Sequence, residues 1–280
     1  MAQAVPLPFR KMHGLGNDFV VIDARAGTPA ITAAAAQRIA DRRRGVGFDQ
    51  LILIEPPRDP AATAFVRFLN ADGSEAGACG NGSRCIGWLL AEELGRERLA
   101  IETLNGLLDC RREADGRMTV DLGPAKTEWR EIPLSQAMDS LHLPLEFETL
   151  PQPAALSLGN PHATFFVDDA EAMDLERLGP ILNRHSFFPE RANIAAASLS
   201  AEDCLRVRVW ERGAGMTPAC GTGASAAAVN AARRGLTGRR VAVVLDGGVL
   251  TIQWHDDNRV EMTGPIATAF QGLLPPELLC

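Results

Sequence analysis

The sequence predicts an α/β protein of the α+β type with two homologous domains. Each is a mostly antiparallel sheet curled into a barrel around a central helix, and the active site is expected in the cleft between them. Three observations carry this reading. Landmarks of the first half recur in the second, both halves alternate strand-like and helical patterns, and each half has one small-residue loop with a cysteine. The offset is 143 residues for Asn17 and Asn160, each ending "LGN", and for Gln50 and Asn193. It is about the same between the helical pattern around Ile39 and that of Leu175, Leu178, Ile181 and Leu182. It is 141 for Cys79 and Cys220, and for Gly123 and Gly264. Five coincidences in one order indicate a duplication, here with a domain-sized period. The expected domains are residues 1–124, with a C-terminal return over 268–280, and residues 125–267.

The elements follow in order. "DFVVID" (18–23) and "HATFFVDD" (162–169) are β-branched or aromatic runs and predict strands. "ATAFVRFLNADG" predicts a strand entering a turn at Asn-Ala-Asp-Gly. "LRVRVWER" alternates apolar and charged residues, as a half-buried strand does. "TVDLG", "RVAVVLDGGVLTIQW" and "RVEMTG" add strands joined by short glycine turns. After "ACGNGSR", Cys85, Ile86, Leu89, Leu90 and Leu94 recur at helical spacing. After "PACGTG", the stretch "ASAAAVNAA" lacks a polar face, which predicts a buried helix.

Composition narrows the function. Hydrophobic residues make up 46% and charged residues 22% of 280, ordinary for a soluble globular chain. A net charge of −7 argues against a nucleic-acid binder. The one basic run, Arg42 to Arg44 before Gly45, suits a helix end. No segment is apolar for long enough to span a membrane, and "MAQAVPLPFRKM" lacks the apolar core of a secretory signal. The six cysteines form no CxxC pair, so neither a disulfide framework nor a zinc site is expected. A cytoplasmic protein with reduced thiols and no bound metal follows.

A helix N-terminus presents unpaired N–H groups and about half a positive charge. There a cysteine pKa can fall from about 8.5 to roughly 3.5–7.5. The N–H groups of Gly80 and Asn81, or of Gly221 and Thr222, could bind a carboxylate. Two thiols facing one ligand suit removal of a proton from one face of a carbon and its return to the other, without an organic cofactor. Asn17, Gln50, Asn70, Asn160, His162, Asn193, Glu211 and Arg212 lie where loops leave strands or helices. They offer amides, a carboxylate and a guanidinium suited to both ends of a small zwitterion. His13 could lie near this site. His142, His185 and His255 are expected at the surface, and Cys85 in the core. Cys110, Cys204 and Cys280 carry no motif.

"KMHGLGNDFVVID", "RRRGVGFDQL", "NADGSEAGACGNGSRC", "GNPHATFFVDD", "ERANIA" and "WERGAGMTPACGTGA" together resemble the diaminopimelate epimerases, from about residue 9 to residue 272. The resemblance implies a cofactor-free interconversion of LL- and meso-2,6-diaminopimelate by a cytoplasmic enzyme, often a homodimer. It implies Cys79 and Cys220 as the acid–base pair, with His162 and Glu211 assisting. It assigns substrate contacts to Asn17, Gln50, Asn70, Asn160, Asn193, Glu211 and Arg212, and to the backbones of Gly80, Asn81, Gly221 and Thr222. Three positions depart from the family pattern. Met216 stands where an acidic residue is frequent, Ser225 where a second cysteine is, and Phe270 where a dimer-contact tyrosine is. A proline or hydroxyproline racemase of the same fold is the nearest alternative. A thiol redox protein and a non-catalytic amino-acid binder are alternatives from other classes.

Overall fold

The computed structural model describes residues 6–28 and 30–279, so Cys280 lies outside the described residues. The chain divides into two compact units, residues 1–120 with 264–280, and residues 121–263. The sequence placed the junctions at 124/125 and 267/268.

The first unit starts with β1 (Leu7–Gly14), β2 (Asn17–Asp23), α1 (Ala33–Ala40), β3 (Gln50–Glu55), β4 (Ala64–Asn70) and β5 (Glu75–Ala76). It continues with α2 (Gly80–Leu94), β6 (Arg98–Thr103) and β7 (Gly106–Arg112), and β8 (Met118–Pro124) leads into the second unit. The second unit holds β9 (Ala154–Ser157), β10 (Pro161–Phe166), α3 (Leu175–Leu182), β11 (Asn193–Ala201), β12 (Cys204–Glu211) and β13 (Gly215–Met216). Then come α4 (Gly221–Arg233), β14 (Arg240–Leu245), β15 (Gly248–Trp254) and β16 (Arg259–Gly264). β17 (Ala267–Leu274) returns to the first unit and pairs antiparallel with β1.

The duplication holds element by element. β2 runs parallel to β3 with Phe19 opposite Gln50, and β10 parallel to β11 with His162 opposite Asn193. β3 pairs antiparallel with β4, as β11 does with β12. β4 runs parallel to β6, as β12 does to β14. Antiparallel hairpins β6–β7 and β14–β15 follow. Most pairings are antiparallel, and the parallel ones arise where a helix crosses between strands.

Within each unit one helix is wrapped by strands. α4 packs against β9, β10, β11, β12, β14 and β15, and nearly all of it from Gly221 to Ala231 is buried. Alanine on every face lets strands approach all round it. Its one amide, Asn230, is fully buried and donates to the Ala154 carbonyl (3.2 Å) and the Thr164 hydroxyl (3.4 Å). A buried amide without such partners would be costly. α2 packs against β1, β6 and β7, burying Cys85, Ile86, Leu90 and Ala91. It ends at Gly95 with φ +61, the left-handed cap that glycine adopts without strain.

The outer helices are ordinary amphipathic pieces. α1 buries Ala35, Ala36 and Ile39 against a cluster that includes Phe9, Val20, Leu51 and Leu274. α3 buries Leu175, Leu178 and Leu182 against Phe165, Ile194 and Ala196. The basic run falls in the turn just beyond α1, and Arg42 there pairs with Asp18 and Asp49.

Candidate active site

Each cysteine is the N-cap of the helix its unit wraps. Cys79 is extended (φ −143°, ψ 113°), and its sulfur accepts from the Gly82 N–H at 3.4 Å. Cys220 is extended (φ −104°, ψ 104°), and its sulfur accepts from the Gly223 N–H at 3.4 Å. α1 and α3 are capped conventionally, by the Thr32 hydroxyl to the Ala35 N–H (3.1 Å) and by the Asp174 carboxylate to the Arg177 N–H (3.2 Å). Sulfur is a weaker acceptor than these oxygens. Cysteine stands at a cap twice, where an oxygen side chain would stabilise the helix better. The N–H groups of Gly80 and Asn81, and of Gly221 and Thr222, belong to first turns that offer them no intrahelical acceptor.

In the first unit, β1 and β2 meet in a two-residue turn, Leu15-Gly16, closed by the pair Gly14–Asn17. Both turn residues have positive φ (57° and 86°), as a tight hairpin requires, and Leu15 takes up that strain without being glycine. The turn delivers Asn17, whose amide oxygen lies 3.9 Å from the Cys79 sulfur and accepts from Asn81 Nδ2 at 3.2 Å. Gln50 donates to the Asn70 amide oxygen at 3.0 Å across β3 and β4. Asn17, Cys79 and Asn81 are therefore in contact, as are Gln50 and Asn70.

In the second unit, His162 is buried to 1% exposure. Its Nε2 lies 2.9 Å from Asn160 Oδ1 and 3.5 Å from Asn193 Nδ2. Its Nδ1 is buried with no hydrogen-bond partner among the described residues. Burial, with the Arg212 charge adding to it, pushes the imidazole down to about 3, so His162 is neutral at physiological pH. Asn193 Oδ1 accepts from the Arg212 backbone N–H at 2.6 Å, and the Arg212 side chain donates to the Glu190 carbonyl at 2.8 Å. Asn160 Nδ2 reaches Thr222 Oγ1 at 3.5 Å, which is 3.8 Å from the Cys220 sulfur. His162, Asn160, Asn193, Arg212, Thr222 and Cys220 thus form one connected set. In the first unit His13, the last residue but one of β1, lies opposite Asp18 of β2.

A helix N-terminus can lower a cysteine pKa, yet Cys220 is pushed well above the ordinary thiol value. Complete burial is the largest cause, and the Glu211 carboxylate, as a charge and a hydrogen-bond acceptor, adds to it. These outweigh the Gly223 and Thr222 hydrogen bonds that favour thiolate. Cys220 is therefore a thiol at neutral pH.

Several residues escaped the sequence reading. The Thr217 hydroxyl donates to Glu211 Oε1, fixing the carboxylate that acts on Cys220. Asp49 accepts from Asn17 Nδ2 at 2.8 Å. Arg84 is fully buried on α2, pushed down to about 10 by burial and opposed in this by the nearby Cys85 and Cys79 sulfurs. Their signal was positional: Asp49 adjoins Gln50, Thr217 lies three residues before Cys220, and Arg84 five after Cys79. Of the three departures, Met216 packs against the second-unit core, Ser225 donates to the Gly221 carbonyl at 2.9 Å, and Phe270 is half exposed on β17.

Residues 9–128 and 154–268 match the profile of the family described as diaminopimelate epimerase. The chain belongs to the diaminopimelate epimerase family. It is 58% identical over 271 residues to the diaminopimelate epimerase of Rhodospirillum centenum (strain ATCC 51521 / SW), covering 97% of this chain and 93% of that one. It is 55% identical over 276 residues to that of Acidiphilium cryptum (strain JF-5), covering 99% of both. Among solved structures it is similar to a PhzF-family phenazine biosynthesis protein of Bacillus anthracis, with a TM-score of 0.69 at 16% identity over 97% of this chain and 99% of that one. A hydroxyproline epimerase of Agrobacterium vitis gives 0.66 at 18% identity, over 98% and 94%. These last two likenesses establish the two-domain fold that the epimerase family shares with more distant proteins.

Proposed function

We propose that this protein epimerises LL-2,6-diaminopimelate to the meso isomer, with Cys79 and Cys220 as acid and base on one α-carbon. The observation that carries the reading is the pair of cysteine N-caps, present on the two wrapped helices and replaced by ordinary caps on the other two. A thiol at a helix N-terminus stands beside N–H groups that can take the α-carboxylate, so the reacting carbon is held next to sulfur. In this reading Gly80 and Asn81, with Gly221 and Thr222, supply those N–H groups.

A thiolate removes the α-proton and a thiol returns one to the opposite face. Cys220, held as a thiol by burial and Glu211, suits the donor role in the resting protein. Thr217 keeps the Glu211 carboxylate turned to it. After donation Glu211 opposes the new thiolate and so favours its reprotonation. Neutral His162 orients Asn160 and assists without carrying charge. Asn17, Gln50, Asn70, Asn160, Asn193, Glu211 and Arg212 read the amino and carboxylate groups of both ends. The chemistry asks nothing of an organic cofactor, because the thiols transfer both protons. The reading places the enzyme in the cytoplasm as a homodimer, with half-exposed Phe270 and exposed Leu273 of β17 as candidate contacts.

The test is proton NMR of LL-diaminopimelate in D2O with reduced protein, and proline in parallel. Deuterium at the α-position with appearance of the meso isomer is expected. Cys79→Ala and Cys220→Ala should each lower epimerisation by about 10²-fold or more, the contribution of a positioned acid or base. Exchange into proline alone, or full turnover by either variant, would overturn the proposal.

A further inference from the structure

Arg42, Asp18, Asp49 and Lys11 form a charged cluster in the first unit, directly behind Asn17. Arg42 donates to both Asp18 oxygens (2.9 and 2.7 Å) and to Asp49 Oδ1 (2.9 Å). Lys11 Nζ donates to Asp18 Oδ2 at 2.5 Å and to the Gly47 carbonyl. The Asp49 N–H donates to Asp18 Oδ1 (3.0 Å), and the Asp18 N–H to Asp49 Oδ2 (3.1 Å). This reciprocal pair ties β2 to the residue that opens into β3. Asp49 Oδ2 also accepts from the amide nitrogen of Asn17, at 2.8 Å.

An asparagine side chain can present oxygen or nitrogen in the same place, and its partners decide which. A carboxylate accepts only. Asp49 therefore takes the Asn17 nitrogen and leaves the oxygen toward the Cys79 sulfur and Asn81 Nδ2. The second unit orients its counterpart differently, through His162 Nε2 against Asn160 Oδ1. The positions 143 residues after Asp18, Arg42 and Asp49 are Pro161, His185 and Ala192, none of which could build such a cluster. Among the described residues the device belongs to the first unit alone.

We infer that Asp49, held by Arg42 and Asp18, is a positioning residue of the epimerase, setting the Asn17 amide with its oxygen toward Cys79. The inference rests on the proposed role of Cys79. Asp49 and Arg42 touch no reacting atom, and they act through Asn17.

The experiment compares Asp49→Leu, which removes the acceptor at similar size, with Asp49→Asn, which keeps an acceptor oxygen. Both are made in the wild-type and Asn17→Ala backgrounds. Side-chain amide NMR of Asn17 and kcat/KM for LL-diaminopimelate are measured on the full chain. A downfield Asn17 amide proton is expected in wild type and Asp49→Asn and absent in Asp49→Leu. Asp49→Leu should lose about tenfold or more in kcat/KM, the size of a lost hydrogen bond to a charged group. Asp49→Asn should stay within about threefold, and Asp49→Leu should add almost nothing in the Asn17→Ala background. An equal loss in that background, or Asp49→Asn as poor as Asp49→Leu, would overturn the inference. Wild-type protein without α-proton exchange would instead overturn the epimerase reading, and the amide signal alone would then decide how Asn17 is held.

Discussion

At Cys79 and Cys220 a sulfur caps a helix where an oxygen side chain would bind more strongly, a choice that the proposed acid–base role of the two thiols accounts for. Thr32 and Asp174 show what the same fold uses where a cap is only a cap. The sequence displayed both cysteines and their spacing, but the ionisation of Cys220 depended on what the fold placed around it. The sign follows from charge. Thiolate is the negative form, so burial and the Glu211 carboxylate both disfavour it and raise the Cys220 value above about 8.5. Alkylation of Cys220 by iodoacetamide should therefore develop only at alkaline pH. In Glu211→Gln its midpoint should move to lower pH yet stay above the ordinary thiol range, because burial, the larger cause, persists. Mass spectrometry of the Cys220 peptide across pH checks this, and an unmoved midpoint counts against Glu211 as a cause. Asp49 and Thr217 were invisible at this scale, since nothing in a one-dimensional pattern says which oxygen an asparagine or glutamate turns to a neighbour.

At the scale of elements, the two wrapped helices and strands such as β2, β4, β12 and β14 were legible because their periodicities were. The alanine run of α4 promised a helix buried on all sides, and it is one. The basic run was less legible: Arg42 sits past the helix end, and its ion pairs reach back to Asp18 on β2 and forward to Asp49 in the loop before β3. Close packing also decides which glycines are indispensable. A Cβ on Gly82, in the first turn of α2, would lie 2.7 Å from the Phe68 ring and 3.0 Å from Ile52 Cδ1. Both contacts are too short, and both partners are buried in β3 and β4. Gly82→Ala should therefore destabilise the protein by about 1–3 kcal/mol despite alanine's better helix propensity. Thermal or urea unfolding measures this, and a stabilised variant would show that the first turn has room to shift.

Across the whole molecule, the two like units differ in how the chain assembles them. Residues 121–263 are one unbroken stretch, whereas the first unit needs residues 264–280 from the far end. β17 covers β1, and Leu274 completes the cluster around Phe9, Val20 and Ile39. Residues 121–263 expressed alone should fold and melt cooperatively, while residues 1–120 alone should not. Circular dichroism melts of the two fragments decide it. A cooperative melt of residues 1–120 would mean that β1 holds its place without β17. Uncovering Leu274 and Phe9 contacts alone costs about 2–5 kcal/mol, a large share of an ordinary domain's stability.

The duplication, the family, the two cysteine loops and the helices that follow them can be read from one dimension. Those depend on spacing and periodicity, which survive in one dimension. That Cys220 is a thiol, that His162 is neutral, that Thr217 holds Glu211 and that Asp49 turns Asn17 came from the folded arrangement. Each of these depends on burial and on which polar atom ends within about 3 Å of another, a distance set when separate strands and loops are brought together.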